Sequence, residues 1–117
     1  MRDRRAAEAR GREGETIAAW YLRAKGWRIL DRRVKTRGGE VDLVAKRGGV
    51  VAFVEVKARS NAADLDHAID ERRLARVAAA AEMLGPRYAT DGEDIRIDVV
   101  LVTPSLRPRH IENAWIG

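Results

Sequence analysis

The stretch Gly39-Glu40-Val41-Asp42-Leu43-Val44-Ala45-Lys46-Arg47-Gly48-Gly49-Val50-Val51-Ala52-Phe53-Val54-Glu55-Val56-Lys57 reads as a β-hairpin. Two runs rich in β-branched residues flank Gly48-Gly49, and a glycine pair suits the φ > 0 positions of a two-residue turn. Counting outward from that turn, Arg47 faces Val50, Asp42 faces Glu55 and Glu40 faces Lys57. The side-chain period of two puts the last four residues on one face. Like charges directly opposite one another destabilise a sheet. The facing carboxylates of Asp42 and Glu55 therefore call for a compensating charge, and a hard divalent cation, Mg²⁺ or Mn²⁺, is the natural one. A slip of one residue in register would abolish the pairing.

Working outward, a helix is expected before the hairpin, ending near Lys25 with Gly26 as its stop. Ile17, Trp20, Tyr21 and Ala24 recur at helical spacing, and Glu15, Ala18, Ala19 and Leu22 form a second line. Apolar residues on both lines predict a helix covered on most sides. Residues 1–11 read as a frayed end or an extension of this helix. Trp27-Arg28-Ile29-Leu30 is a short strand, and residues 41–46 and 50–58 are the hairpin strands. A second helix is predicted from Leu65 to Leu84, stopped by Gly85-Pro86. Residues 95–102 form a strong strand that Thr103-Pro104 ends, and residues 110–115 a short last one.

The order α-β-β-β-α-β, with one extra strand, predicts an α/β fold, a mixed β-sheet flanked by helices. The second helix is a crossover, so the strands that it joins can lie parallel while the rest pair antiparallel. The almost continuously apolar run Val50 to Val56 fits a strand covered on both faces. With no linker, repeat or low-complexity block, all 117 residues are expected to form a single domain.

Composition narrows the function classes. No apolar run approaches the roughly 20 residues that span a bilayer, and Met1-Arg2-Asp3-Arg4-Arg5 leads into alanine and charge rather than an apolar signal segment. The absence of cysteine excludes disulfides and thiolate zinc sites and is compatible with a cytoplasmic protein. The formal net charge of +5 favours polyanionic partners, chiefly nucleic acid, although 18 acidic residues interleave with 23 basic ones.

Within that frame Asp42 and Glu55 are candidate metal ligands, with Lys57 beside them to orient a nucleophile or stabilise developing phosphorane charge. The plain alternative is a surface charge pair on an exposed strand. Val54 and Val56 bracket Glu55, which makes an unpaired carboxylate there costly. Arg59 continues the Glu55–Lys57 line and is either a phosphate contact or surface charge. Arg72, Arg73 and Arg76 form either a basic strip for nucleic acid or a solvated helix face. Asp98, between Ile97 and Val99, reads as the structural partner of an arginine, with a catalytic role as the alternative. His67 and His110 lack a second ligand at zinc spacing, and Trp27 and Trp115 read as core residues rather than base-stacking platforms.

Together, Glu15 on a helix, Gly39-Glu40-Val41-Asp42-Leu43-Val44-Ala45, Phe53-Val54-Glu55-Val56-Lys57-Ala58-Arg59, Arg96-Ile97-Asp98-Val99-Val100 and His110-Ile111-Glu112-Asn113-Ala114-Trp115 resemble the YraN-like family of small bacterial proteins. That family is similar to the PD-(D/E)xK nuclease superfamily and its Holliday-junction resolvases. The resemblance runs from Gly11 to the C-terminus. It implies a restriction-endonuclease-like αβββαβ core. It also implies Mg²⁺- or Mn²⁺-dependent cleavage of DNA, branched or otherwise structured, by a homodimer. Asp42 then takes the place of the motif aspartate, with Val41 where a proline commonly precedes it. Glu55 and Lys57 match the (D/E)xK element, and Glu15 matches a helical glutamate that completes the metal site. Arg73 stands where a lysine is common. The alternative is a non-catalytic nucleic-acid-binding module on the same fold; a more distant one is a protein adaptor.

Overall fold

The hairpin forms with the turn at the predicted place. A computed structural model of the chain describes residues 4–59, 70–104 and 106–115. Strands β2 (Glu40–Arg47) and β3 (Val50–Ala58) pair antiparallel from Arg47↔Val50 to Leu43↔Val54, and Gly48 supplies the left-handed turn residue with φ +56°. β1 (Arg28–Lys35) pairs antiparallel with β2. β4 (Asp94–Thr103) pairs parallel with β3, and β5 (Leu106–Ile111) returns antiparallel along β4. The sheet order is β1-β2-β3-β4-β5. Helix α1 (Arg4–Ala24) precedes the sheet, and α2 (Glu71–Tyr88) is the crossover between the parallel strands. This is the expected mixed sheet with an αβββαβ core, completed by a fifth strand.

The central strands show why the apolar run is continuous. Successive side chains leave a strand on opposite faces. Val51 and Phe53 join Leu74, Val77 and Leu84 under α2, whereas Ala52 and Val54 join Ala18, Ala19 and Leu22 under α1. One strand thus feeds two cores, and the helices cover opposite faces as three layers. Burying a side chain of Phe53's size contributes roughly 1.5–3 kcal/mol.

Four expectations are corrected. Among the described side chains of α1 the line of Ala18, Ala19 and Leu22 is buried, whereas Ile17 is 44% and Trp20 66% exposed. Small residues set this choice, since a Cβ on Gly14 would lie 2.7 Å from that of Ala58 and the helix seats its slimmest face on the sheet. α2 starts at Glu71, where the Asp70 carboxylate caps it by accepting from the Arg72 N–H; positions 65–69 of the predicted helix lie outside the described residues. At its other end α2 runs past Gly85-Pro86 to Tyr88. Gly85 allows close approach rather than ending the helix, because a Cβ there would meet Ile95 at 2.5 Å. β1 is longer than residues 27–30. The last strand lies earlier than 110–115 and carries Pro108, which an edge strand tolerates. Trp27 is buried and Trp115 packs partly buried on the α2-side core, as read from the sequence.

Candidate functional site

β2 leaves its ladder with β3 after Leu43↔Val54, and its pairing with β1 skips Asp42 without a change of register. Val41 packs on the α2 side and Leu43 on the α1 side, although strict alternation would put both on one face. Arg33 and Asp42 lie between the paired positions Arg32↔Leu43 and Val34↔Val41, and Arg33 has φ +51°, rare for a residue with a side chain. The break re-aims both side chains. Arg33 Nε donates to Glu15 Oε1 of α1 at 2.7 Å, and Asp42 Oδ2 accepts the Val56 N–H at 2.7 Å. A carboxylate rather than a ladder carbonyl receives that strand's N–H. The expected Asp42–Glu55 juxtaposition thus takes the form of a carboxylate at the edge of β3 rather than a regular ladder pair.

Glu55 is 2% exposed on β3 and faces α2. Its Oε1 accepts from Arg73 Nε at 2.9 Å and lies 3.1 Å from Lys57 Nζ. Lys57, two residues on along the strand, is itself buried. Arg73 extends over Glu55 from the first turns of α2, which sits close because a Cβ on Gly39 would lie 2.6 Å from the Arg76 carbonyl oxygen. Gly39, Glu40, Glu55, Arg73, Arg76 and Val77 line an open cleft of about 160 Å³.

The charges are crowded. Burial and the neighbouring Glu55 carboxylate push Asp42 up to about 7; Glu15 adds to the rise, while the Val56 N–H and Arg73 oppose it. The hydrogen bond that Arg33 donates to Glu15 raises the Arg33 pKa, and its charge also feels Glu40 and Asp42. Sequence reasoning missed Arg33, because its role depends on a backbone irregularity that residue type does not announce.

Asp42, Glu55 and Lys57 are therefore brought together, with Glu15 near enough for its charge to act on Asp42. Of the three, Glu55 lines the cleft, together with Arg73 and Arg76. Arg72 is exposed and its backbone serves the helix cap. Arg59 lines a separate cleft with Glu13, Ile17 and Val102, and its Nη1 donates to the Ala58 carbonyl. As donors for a cation the carboxylates suit a hard ion such as Mg²⁺ or Mn²⁺. Among the described residues no three Asp, Glu or His side chains already converge as a cage. The fit is in donor chemistry and charge, with Glu55 engaged by Lys57 and Arg73.

On the other face, Asp98 is the centre of a separate network. It accepts from Arg96 Nε and Nη2 at 2.9 and 2.8 Å and from the Asn113 N–H at 2.9 Å, and it lies 2.7 Å from His110 Nε2. Lys25 Nζ reaches His110 Nδ1 at 2.9 Å. The arginine partner expected for Asp98 is Arg96.

No helix among the described residues is long and apolar enough to cross a membrane. Residues 14–102 match the model of the Uncharacterised protein family UPF0102. The chain is 66% identical over 112 residues to a UPF0102 protein of Erythrobacter litoralis, an alignment covering 96% of this chain and 97% of that one. It is 62% identical over 117 residues to a UPF0102 protein of Rhizorhabdus wittichii, covering 100% and 99%. A UPF0102 protein of Sphingopyxis alaskensis is 62% identical over 112 residues, covering 96% and 97%. Matched along most of its length to the family model and along nearly all of it to these relatives, the chain belongs to the UPF0102 family.

Proposed function

We propose that this UPF0102 protein is a metal-dependent endonuclease acting on phosphodiesters of DNA, branched or otherwise structured. The observation that carries the reading is the gathering of Asp42, Glu55 and Lys57 on the strand pair beneath a cleft edged by Arg73 and Arg76. A carboxylate raised to about 7 beside a second, buried carboxylate is the kind of group in which enzyme sites are rich.

In this reading Asp42 and Glu55 hold Mg²⁺ or Mn²⁺, with Glu15 assisting or holding a second ion. The bound cation supplies charge neutralisation at the phosphodiester and a more acidic water. Lys57, fixed by Glu55 at 3.1 Å, orients the nucleophile or donates to a phosphate oxygen as charge develops. Arg76 and Arg73 bind backbone phosphates at the rim, and a guanidinium presents two parallel donors to each. Arg59 and Arg72 serve as outlying phosphate contacts. A homodimer would cut two strands of a symmetric substrate together.

The test is cleavage of a panel of branched, flapped and duplex DNAs with Mn²⁺. Wild type cleaves, and Lys57→Ala and Asp42→Asn each lose about a hundredfold or more. Activity persisting in both variants removes this assignment of the site. A second reading is a nucleic-acid-binding module without turnover. It is favoured by the two cations already on Glu55, which need no metal for neutrality. Steeply salt-dependent DNA binding with no cleavage on any substrate selects it.

A further inference from the structure

We infer that Arg73 is a resident counter-ion of the site that exchanges between Glu55 and an incoming phosphodiester, so that cation uptake and nucleic-acid binding strengthen each other. The inference rests on the metal reading above and concerns how the site is regulated.

Two cations share one oxygen of Glu55, and their surroundings differ. The Lys57 side chain is 10% exposed and belongs to the same strand as Glu55; the Arg73 side chain is 55% exposed and arrives from a helix. Withdrawing Lys57 would leave a buried ammonium unpaired, which costs heavily. Arg73 can swing into the cleft without burying or stranding its own charge. It contacts Glu55 through Nε, the inner nitrogen of the guanidinium, so the outer fork is directed away from this bond. Among the described residues Glu55 is the carboxylate with which it pairs.

The cleft gives Arg73 somewhere to go. Arg76 lies nearly one turn further along α2, where residues three apart are neighbours, and lines the same cleft. A phosphate entering there meets Arg76 and competes with Glu55 for Arg73. Once Arg73 turns to phosphate, Glu55 keeps Lys57 alone, and the carboxylate pair with Asp42 gains net negative charge that a divalent cation neutralises. In the other direction, a cation on Glu55 repels the guanidinium and frees it for phosphate. Coupling of this kind is reciprocal by thermodynamic necessity. An arginine suits the task because its planar fork stays charged and grips phosphate bidentately.

Mn²⁺ binding to the full-length, metal-stripped chain is measured by calorimetry. Binding of a labelled duplex is measured by anisotropy with and without Mn²⁺, for wild type, Arg73→Gln, Arg76→Gln and Asp42→Asn. Arg73→Gln is expected to bind Mn²⁺ about fivefold or more tighter than wild type, to bind DNA more weakly, and to lose most of the Mn²⁺-induced gain in DNA affinity. Arg76→Gln weakens DNA binding while its Mn²⁺ affinity and the gain remain. Equal or weaker Mn²⁺ binding by Arg73→Gln, with wild-type binding abolished by Asp42→Asn, overturns the exchange and leaves the metal site standing. No Mn²⁺ uptake by wild type or Arg73→Gln overturns both.

Discussion

Asp98 and Asp42 are two aspartates on one sheet with opposite histories of solvation. Asp98 is fully buried, and burial alone would keep it protonated. Hydrogen bonding with His110, Arg96 and the Asn113 N–H outweighs that and holds it down at about 2. Asp42 is raised to about 7 first by burial and then by the charges of Glu55 and Glu15, with the Val56 N–H as its one protein donor among the described residues. The first carboxylate is surrounded by groups that need it ionised. The second is placed where ionisation is opposed, so its protonated form is favoured. The difference separates a charge that fastens β4 to β5 and to Lys25 just past α1 from a carboxylate that the fold leaves poorly compensated.

The largest expected effect falls on the fastened side. Asp98→Ala leaves Arg96 and His110 without their shared acceptor on a buried face, and breaking such a pair costs on the order of 3–5 kcal/mol. Urea denaturation at neutral pH measures it. Asp42→Asn, in the same assay with chelator present, should leave stability unchanged or raised, because it removes a carboxylate whose ionisation the fold disfavours. Equal losses in the two variants would erase the contrast between the sites.

Next in size is the pH dependence, where the two aspartates act in adjacent windows with opposite sign. Asp98 titrates lower in the native state than in the unfolded chain, so its contribution is present above about pH 4 and lost as pH falls toward 2. Asp42 titrates higher when folded, at about 7 against 3.8. Between those values the native state holds a proton that the unfolded chain has released, so the contribution of Asp42 falls as pH rises and is gone above about 7. One such proton is worth about 1.4 kcal/mol per pH unit where it is fully in play. Asp42→Asn should therefore gain on wild type steadily from pH 4 to 7 and run parallel above it. A constant offset across that range would mean that Asp42 is ionised in the native state throughout.

The sequence made one half of this contrast easier to foresee than the other. Local rules sufficed for the Gly48-Gly49 turn, for the register from Arg47↔Val50 to Leu43↔Val54, and for the crossover that makes β3 and β4 parallel. They placed Asp42, Glu55 and Lys57 in one neighbourhood, and two-residue spacing on a strand made Arg96 a natural partner for Asp98. Strict alternation then failed at Asp42, because the break there is shared with Arg33 of the next strand and no residue type marks it. The Arg73–Glu55 bond depends on how closely α2 lies on Gly39, and the His110 contact on a strand that begins earlier than its apolar pattern. On α1 two lines carried apolar residues, and both were expected to be covered. Side-chain size decided between them, since Gly14, Ala18 and Ala19 let the helix approach while Trp20 stayed outside.

The smallest effect compares the two arginines that serve acidic partners. Arg96 makes a two-point contact with a buried aspartate; Arg33 makes one contact to Glu15 from a side chain 40% exposed. Surface pairs of the second kind add little to stability. Arg33 also holds φ +51°, a conformation that glycine adopts without steric cost. Arg33→Gly therefore loses a weak ion pair and gains backbone relief, and its thermal midpoint should match or exceed that of wild type. Arg96→Ala should lower it clearly. If Arg33→Gly melts as early as Arg96→Ala, the break between β1 and β2 is held by the Glu15 pair rather than by the sheet around it. The acidic cluster would then be as firmly built as the Asp98 network.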